Sequence, residues 1–263
     1  MGEPRRVVVG AASGIGAATA THLHHRGDYD LAVDRRRHDT PASDYADCDL
    51  ANPSEIRALL DGIGSKWHIL AHAAGIPGTA PAVDVLAVSY LGTRLMVEGM
   101  LPLMRRGGAI VTVGSTAALR WEQRKDELAG LLAARDEEAI ERWCAVEDPA
   151  MSYHTSKQAV IMLTKHIAAH AWSECGVPAN VVSPGPVETS ILADFEVTMG
   201  REALDAARGF VGRHGSVHDV LPVIEFLASA QAGWVNGQGI QVDGGYIAAL
   251  LVGMPAQPIN SGK

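Results

Sequence analysis

Short runs of branched apolar residues alternate with longer stretches whose apolar positions recur every three or four residues, along most of the chain. Residues 6–9, 29–33, 45–48, 67–71, 109–113, 177–182 and 239–242 read as strands, and several lack polar alternates, as strands covered on both faces do. Residues 15–26, 53–63, 84–104, 152–175 and 217–228 read as helices. Pro53 falls in a first helical turn, where its missing N–H costs nothing, and Gly27 and Gly176 mark helix ends. Strand and helix in alternation predict an α/β protein, a doubly wound parallel sheet in one domain over residues 1–263. Two stretches depart from that rhythm. Residues 120–148 are rich in charge yet carry Leu128, Leu131, Leu132, Ile140 and Trp143, which predicts one or two inserted helices before the helix at 152. Residues 187–214 mix Phe195, Met199, Leu204 and Phe210 with polar residues and predict a substrate-covering segment with mobile boundaries. Residues 254–263, polar and holding Pro255 and Pro258, predict an extended tail.

Composition narrows the class of function. An apolar content of 47% supports a substantial core. A formal charge of -8, with no stripe of lysine and arginine, argues against a nucleic-acid partner. Arg35, Arg36 and Arg37 form the densest basic cluster, and Arg36 and Arg37 read as facing solvent. The 3 cysteines are few and odd in number, so no disulfide framework is expected and a reducing cytoplasm is. The apolar run after Arg5 and Arg6 is too short for a signal peptide, and no run approaches membrane-spanning length, so no membrane partner is expected. No metal site is read from the sequence.

Candidate chemistry collects where strands end. Gly10, Ser13, Gly14, Ile15 and Gly16 lie between the first strand and the first helix. Glycines there let backbone approach a phosphate, and the helix start offers free N–H groups. Asp34 ends the second strand, where a carboxylate accepts hydrogen bonds from an adenosine ribose and repels a 2'-phosphate. NAD is therefore expected over NADP, although Arg35 could bind such a phosphate. Asp49 and Leu50 end the third strand, with the carboxylate placed for an adenine amino group. Ala73, Ala74 and Gly75 follow the fourth strand as small residues that permit close approach to a cofactor. Ser115 follows the fifth strand, at the sheet edge where ligands bind in open α/β folds. Tyr153 and Lys157, four residues apart on one helix, share a face. Pro184, Gly185, Val187 and Thr189 belong to a rigid turn at the same edge.

Taken in this order, these motifs resemble the short-chain dehydrogenase/reductase family across essentially the full length. The resemblance rests on Gly10, Gly14 and Gly16, on Asp49, on His72-Ala73-Ala74-Gly75 with both of the family's asparagines missing, on Ser115, on Tyr153 and Lys157, and on Pro184-Gly185 with Thr189. It implies the three-layer Rossmann-type form of the sheet. It also implies Tyr153 as general acid/base, Lys157 lowering the phenol's pKa and holding the nicotinamide ribose, and Ser115 orienting the substrate oxygen. A bare phenol titrates near pH ~10, so a neighbouring cation is needed for such work near neutrality. The family's helix asparagine is replaced by Ser89 in Val88-Ser89-Tyr90-Leu91-Gly92, which implies an altered proton relay.

The insertion, the segment around Ser89 and Asp243-Gly244-Gly245 most resemble the bacterial 3α-hydroxysteroid dehydrogenase/carbonyl reductase group. That implies a homodimer or homotetramer, and an NAD(H)-dependent oxidation of a secondary alcohol or reduction of a ketone on a bulky, largely apolar cyclic or steroid-like substrate. The alternatives are a dihydrodiol dehydrogenase or epimerase of the same fold, or an NAD-binding protein with weakened catalysis.

Overall fold

The computed structural model describes residues 4–254. It runs β1 (Arg5–Val9), α1 (Gly14–His25), β2 (Tyr29–Asp34), β3 (Asp44–Asp47), α2 (Pro53–Gly62), β4 (Trp67–His72), α3 (Ala82–Leu86), a π-helical turn (Ala87–Gly92) and α4 (Thr93–Met100). There follow β5 (Met104–Val113), α5 (Lys125–Ala133), α6 (Glu137–Cys144), α7 (Ser152–Cys175), β6 (Ala179–Pro184), α8 (Leu192–Met199), α9 (Arg201–Val211), α10 (Val217–Leu227), β7 (Gly239–Val242) and α11 (Tyr246–Leu251). The strands form one parallel sheet of order β3-β2-β1-β4-β5-β6-β7. The order reverses between β1 and β4, and a crevice opens there at the carboxyl ends of the strands.

Period-two alternation explains the layers. Val7 and Val9 face a core built with α2, α4 and α7, through Ile56, Met96, Met100, Leu163 and Ile167. Val8, Ala32 and Ala71 face the other side against Ala20 and Leu23 of α1. Val111 and Val182 meet Val220, Ile224 and Leu227 of α10.

Three details depart from the sequence reading. The helix expected over 84–104 begins at Ala82, is broken by the π-helical turn, and gives way at Leu103 to a strand that starts at Met104. Pro102 ends the helix because its ring and missing N–H cannot continue the ladder. The sixth strand starts two residues later than expected: the Val177 N–H closes the end of α7 on the Ala171 carbonyl at 3.3 Å, and Pro178 has no N–H for the ladder, although its carbonyl accepts from the Ile110 N–H of β5 at 2.9 Å. Of the tail read at 254–263, all but Met254 lies outside the described residues.

Two arginines, Arg94 buried and Arg124 half-buried, fasten the insertion to the sheet domain. Arg94 of α4 is 2% exposed. Its guanidinium donates to the Ala134 carbonyl at 2.9 Å, to the Leu132 carbonyl, to the Tyr90 hydroxyl at 3.2 Å and to Glu98 at 3.0 Å. Tyr90 in turn donates to the Leu131 carbonyl at 3.1 Å. A cation thus meets the carbonyls that the end of α5 leaves without helical partners. Arg124, just before α5, donates to Thr155 at 2.8 Å and Gln158 at 3.0 Å on α7, and to both Glu147 oxygens at 2.9 and 3.0 Å. The insertion is therefore clamped to the helix that carries Tyr153 and Lys157. Among the described residues, no helix is long and apolar enough to cross a membrane.

Candidate active site

A cleft of about 800 Å³ lies over the carboxyl edge of the sheet. Its walls include Gly10, Ser13, Gly14, Ile15, Asp34, Arg35, Asp49, Leu50, Ala73, Ala74 and Gly75, together with Ser115, Tyr153, Lys157, Pro184, Gly185, Val187 and Thr189. The sequence-predicted residues therefore converge, with two exceptions. Gly16 is not on the wall: a Cβ there would sit 1.9 Å from the Gly10 carbonyl, so this glycine serves the crossing of turn and helix. Ser89 is fully buried beneath the wall, where its hydroxyl accepts a hydrogen bond from the Ile76 N–H at 3.1 Å. Arg36 is exposed, as expected, but also lines the rim, which the sequence reading did not anticipate.

The phosphate-approach turn has the required shape. Gly10 has φ +85°, and a Cβ on it would fall 2.6 Å from the Ala74 N. Gly14 has φ +54° and lies against Thr189. Ser13 caps α1 without a side-chain hydrogen bond, which leaves N–H groups of the first turn facing the cleft. Asp34 fixes the turn from the side: its carboxylate accepts from the Ala12 N–H at 2.9 Å and from the Arg35 N–H at 2.8 Å. Asp49, also on the cleft wall, accepts from the Ala51 N–H at 2.9 Å. These residues fit a nicotinamide dinucleotide.

At the other end, Tyr153 is 6% and Lys157 5% exposed. The Lys157 ammonium donates to the Val113 carbonyl at 3.2 Å and lies 5.8 Å from the Tyr153 ring centre. Burial pushes the Tyr153 phenol up to about 12, while the Ser115 hydroxyl beside it pulls the other way. Burial pushes the Lys157 ammonium down to about 8. Both shifts follow from removing water from the charged form. Ser115 also accepts from the Ala117 N–H at 3.1 Å, so its oxygen is held in place at the end of β5. Gly75 leaves the space between Lys157 and Ser89: a Cβ there would lie 3.2 Å from Nζ and 3.4 Å from Oγ.

Sequence reasoning missed several wall residues. Ile76, Pro77, Ala80 and Val88 line the open side, and Ile191 and Phe195, not singled out as site residues, come from the 187–214 segment expected to cover a substrate. The Phe195 ring lies 5.1 Å from that of Tyr153. Thr79 donates to Asp194 at 2.8 Å, joining the loop after β4 to α8. Only Phe195 carried a signal, as an aromatic in an otherwise mixed stretch. His72 was legible solely as a departure from the family's pattern. It is 1% exposed, with Nε2 lacking a hydrogen-bond partner, and burial pushes it down to about 3.

A doubly wound parallel sheet with a glycine turn at its first strand and a polar cluster across its switch point defines a dinucleotide-dependent oxidoreductase architecture. The family model described as enoyl-(acyl carrier protein) reductase matches residues 10–131 and 141–247, and the gap falls across the junction of α5 and α6. The chain is 32% identical to coniferyl-alcohol dehydrogenase of Pseudomonas sp. (strain HR199 / DSM 7063), covering 93% of this chain and 97% of that one. It is 30% identical to 3-alpha-hydroxysteroid dehydrogenase/carbonyl reductase of Comamonas testosteroni, covering 93% and 96%. Among solved structures, the 3-alpha-hydroxysteroid dehydrogenase from Pseudomonas sp. B-0831 complexed with NADH superposes with a TM-score of 0.80 at 31% identity, over 94% of this chain and 98% of that one. The chain belongs to the short-chain dehydrogenase/reductase family. It is an NAD(P)-dependent oxidoreductase of alcohols and ketones.

Proposed function

We propose that the chain interconverts a bulky, ring-bearing alcohol and its carbonyl compound with NAD(H), using Tyr153 as general acid/base. The observation that carries this reading is the buried Tyr153 phenol in the cleft, with Ser115 and Lys157 at hand and Phe195 against its ring. The bound dinucleotide supplies the hydride acceptor or donor. The rest falls to the protein. Ser115 hydrogen-bonds the substrate oxygen and holds it toward the phenol. Tyr153 gives that oxygen a proton in reduction and takes one in oxidation. Lys157, charged, favours the phenolate that oxidation requires. Ile76, Pro77, Ala80, Val88, Ile191 and Phe195 form an apolar wall suited to a flat hydrocarbon body. The names of the relatives, one a coniferyl-alcohol and one a 3-alpha-hydroxysteroid dehydrogenase, fit an alcohol on a ring-bearing frame.

Direction follows from protonation. At neutral pH the phenol holds its proton, because its value lies far above 7, so it is ready to act as an acid toward a ketone. Oxidation needs the ionised phenol, whose population rises tenfold per pH unit below its pKa. We expect alcohol oxidation to accelerate from about pH 7 to about pH 8 and then to level off as Lys157 loses its charge, while carbonyl reduction stays level over the rise, measured by reduced-nicotinamide absorbance with aromatic and steroid alcohols and their carbonyl partners. A small polyol should turn over far more slowly. Equal rates on the polyol would defeat the substrate reading, and oxidation independent of pH would defeat the role given to Tyr153.

NAD is proposed over NADP because the Asp34 carboxylate stands at the end of β2, fixed by two backbone N–H groups, where a 2'-phosphate would meet like charge. Arg35 and Arg36 stand at the same rim with the opposite sign. Replacing Asp34 by Ala should therefore shift the ratio of kcat/KM values toward NADP by about tenfold or more, with some loss of NAD affinity as the turn loses its brace. An unchanged ratio would remove Asp34 from the preference.

A further inference from the structure

We propose that His72 is a positioning residue for Lys157: its buried Nε2, which has no partner of its own, accepts a hydrogen bond relayed from the Lys157 ammonium through one ordered water. The catalytic consequence rests on the reading of Tyr153 and Lys157 as an acid/base pair, but the contact does not.

The two groups are complementary. His72 ends β4 and pairs in register with Thr112 of β5, and the neighbouring Val113 carbonyl is the one that Lys157 holds. The imidazole bonds with one nitrogen to its own backbone, which leaves Nε2 as the acceptor, and that atom has no partner. A buried polar atom without a partner is uncommon and costly. Lys157 offers three donors, of which Val113 occupies one. Lys157 also acts on His72 electrostatically, keeping the ring neutral and hence an acceptor. Around Lys157 lie Tyr153 on its own helix, the Val113 carbonyl on β5, the Ser89 hydroxyl in the π-helical turn and, on β4, His72, whose register partner Thr112 adjoins Val113. Ser89 already accepts from the Ile76 N–H. Beside the Tyr153 hydroxyl, which the proposed reaction uses, His72 offers an acceptor with no other partner. An acceptor on the ammonium favours the charged form of Lys157, and the charged lysine favours ionisation of Tyr153.

The test is NMR titration of Lys157 in protein with carbon-labelled lysine, for the native chain and for His72→Leu and His72→Gln, alongside steady-state kinetics. In His72→Leu the Lys157 titration should fall by roughly one pH unit, and in His72→Gln by much less, because an amide oxygen can accept. Alcohol oxidation at about pH 8 should lose about fivefold in kcat in His72→Leu, as the charged fraction of Lys157 falls from about a half to about a tenth, with KM for the alcohol little changed. In the native chain, the His72 Nε2 nitrogen resonance should move as Lys157 titrates. This last measurement needs no variant and so stands even where His72→Leu does not fold. A flat Nε2 resonance across that range, or equal Lys157 titration in all three proteins, overturns the proposal. If the NMR shifts appear while no alcohol or ketone is turned over by the native chain, the contact stands and the proposed function fails.

Discussion

Tyr153→Phe should lower kcat for both directions by about 10³-fold while leaving dinucleotide affinity within a factor of about three. The expectation follows from what the substitution removes. The ring remains, so the packing against Phe195 and the burial beside Lys157 are retained. Only the hydroxyl is lost, and with it the one phenolic proton donor or acceptor beside Ser115. A factor of 10³ corresponds to about 4 kcal/mol of transition-state stabilisation, within the range general acid–base groups supply. The measurement pairs stopped-flow or steady-state rates with fluorescence titration of the dinucleotide. Loss of binding in step with activity would mean that Tyr153 serves the cofactor pocket alone. Retained activity would mean that a group other than Tyr153 handles the proton.

Arg94→Leu should be the most damaging single change away from the cleft. Leucine approximates the volume of the buried stem but leaves the Leu132 and Ala134 carbonyls and the Tyr90 hydroxyl without their donor. Each buried acceptor left bare costs about 1–3 kcal/mol, and partial repair by water brings the sum to about 3 kcal/mol. For a chain of this size that lowers Tm by about 6–10 °C. The end of α5 should open first, since Arg94 is its cap, and protease cleavage should appear between α5 and α6. A drop in Tm of less than about 2 °C, with no new cleavage, would show that the insertion is held by its apolar contacts through Leu128, Leu131 and Ile140 rather than by Arg94.

Much of this molecule was legible in its sequence because the informative signals are local. The Val7-Val8-Val9 run, the glycines after it and the periodic residues of 152–175 report strand, turn and helix through neighbouring side chains alone. The four-residue spacing of Tyr153 and Lys157 places them on one helix face whatever surrounds them. Asp34 at a strand end already implied a carboxylate beside the first glycine turn. The π-helical turn at Ala87–Gly92 was not legible: five-residue hydrogen bonding arises from how the helix packs, with no composition that marks it. The buried ends of long-range polar contacts were hidden for the same reason. Arg94 looks like any helix arginine until Leu132 and Ala134 arrive from 38 and 40 residues away.

The passage from Ser115 to Lys157 shows the division best. Its sequence determined a serine at a strand end, a charged helical insertion, and a tyrosine and lysine on one helix face. Tertiary structure alone decided that water leaves these side chains, because burial is a property of everything packed around them. That removal of water raises the phenol, lowers the ammonium and makes the free Nε2 of His72 matter.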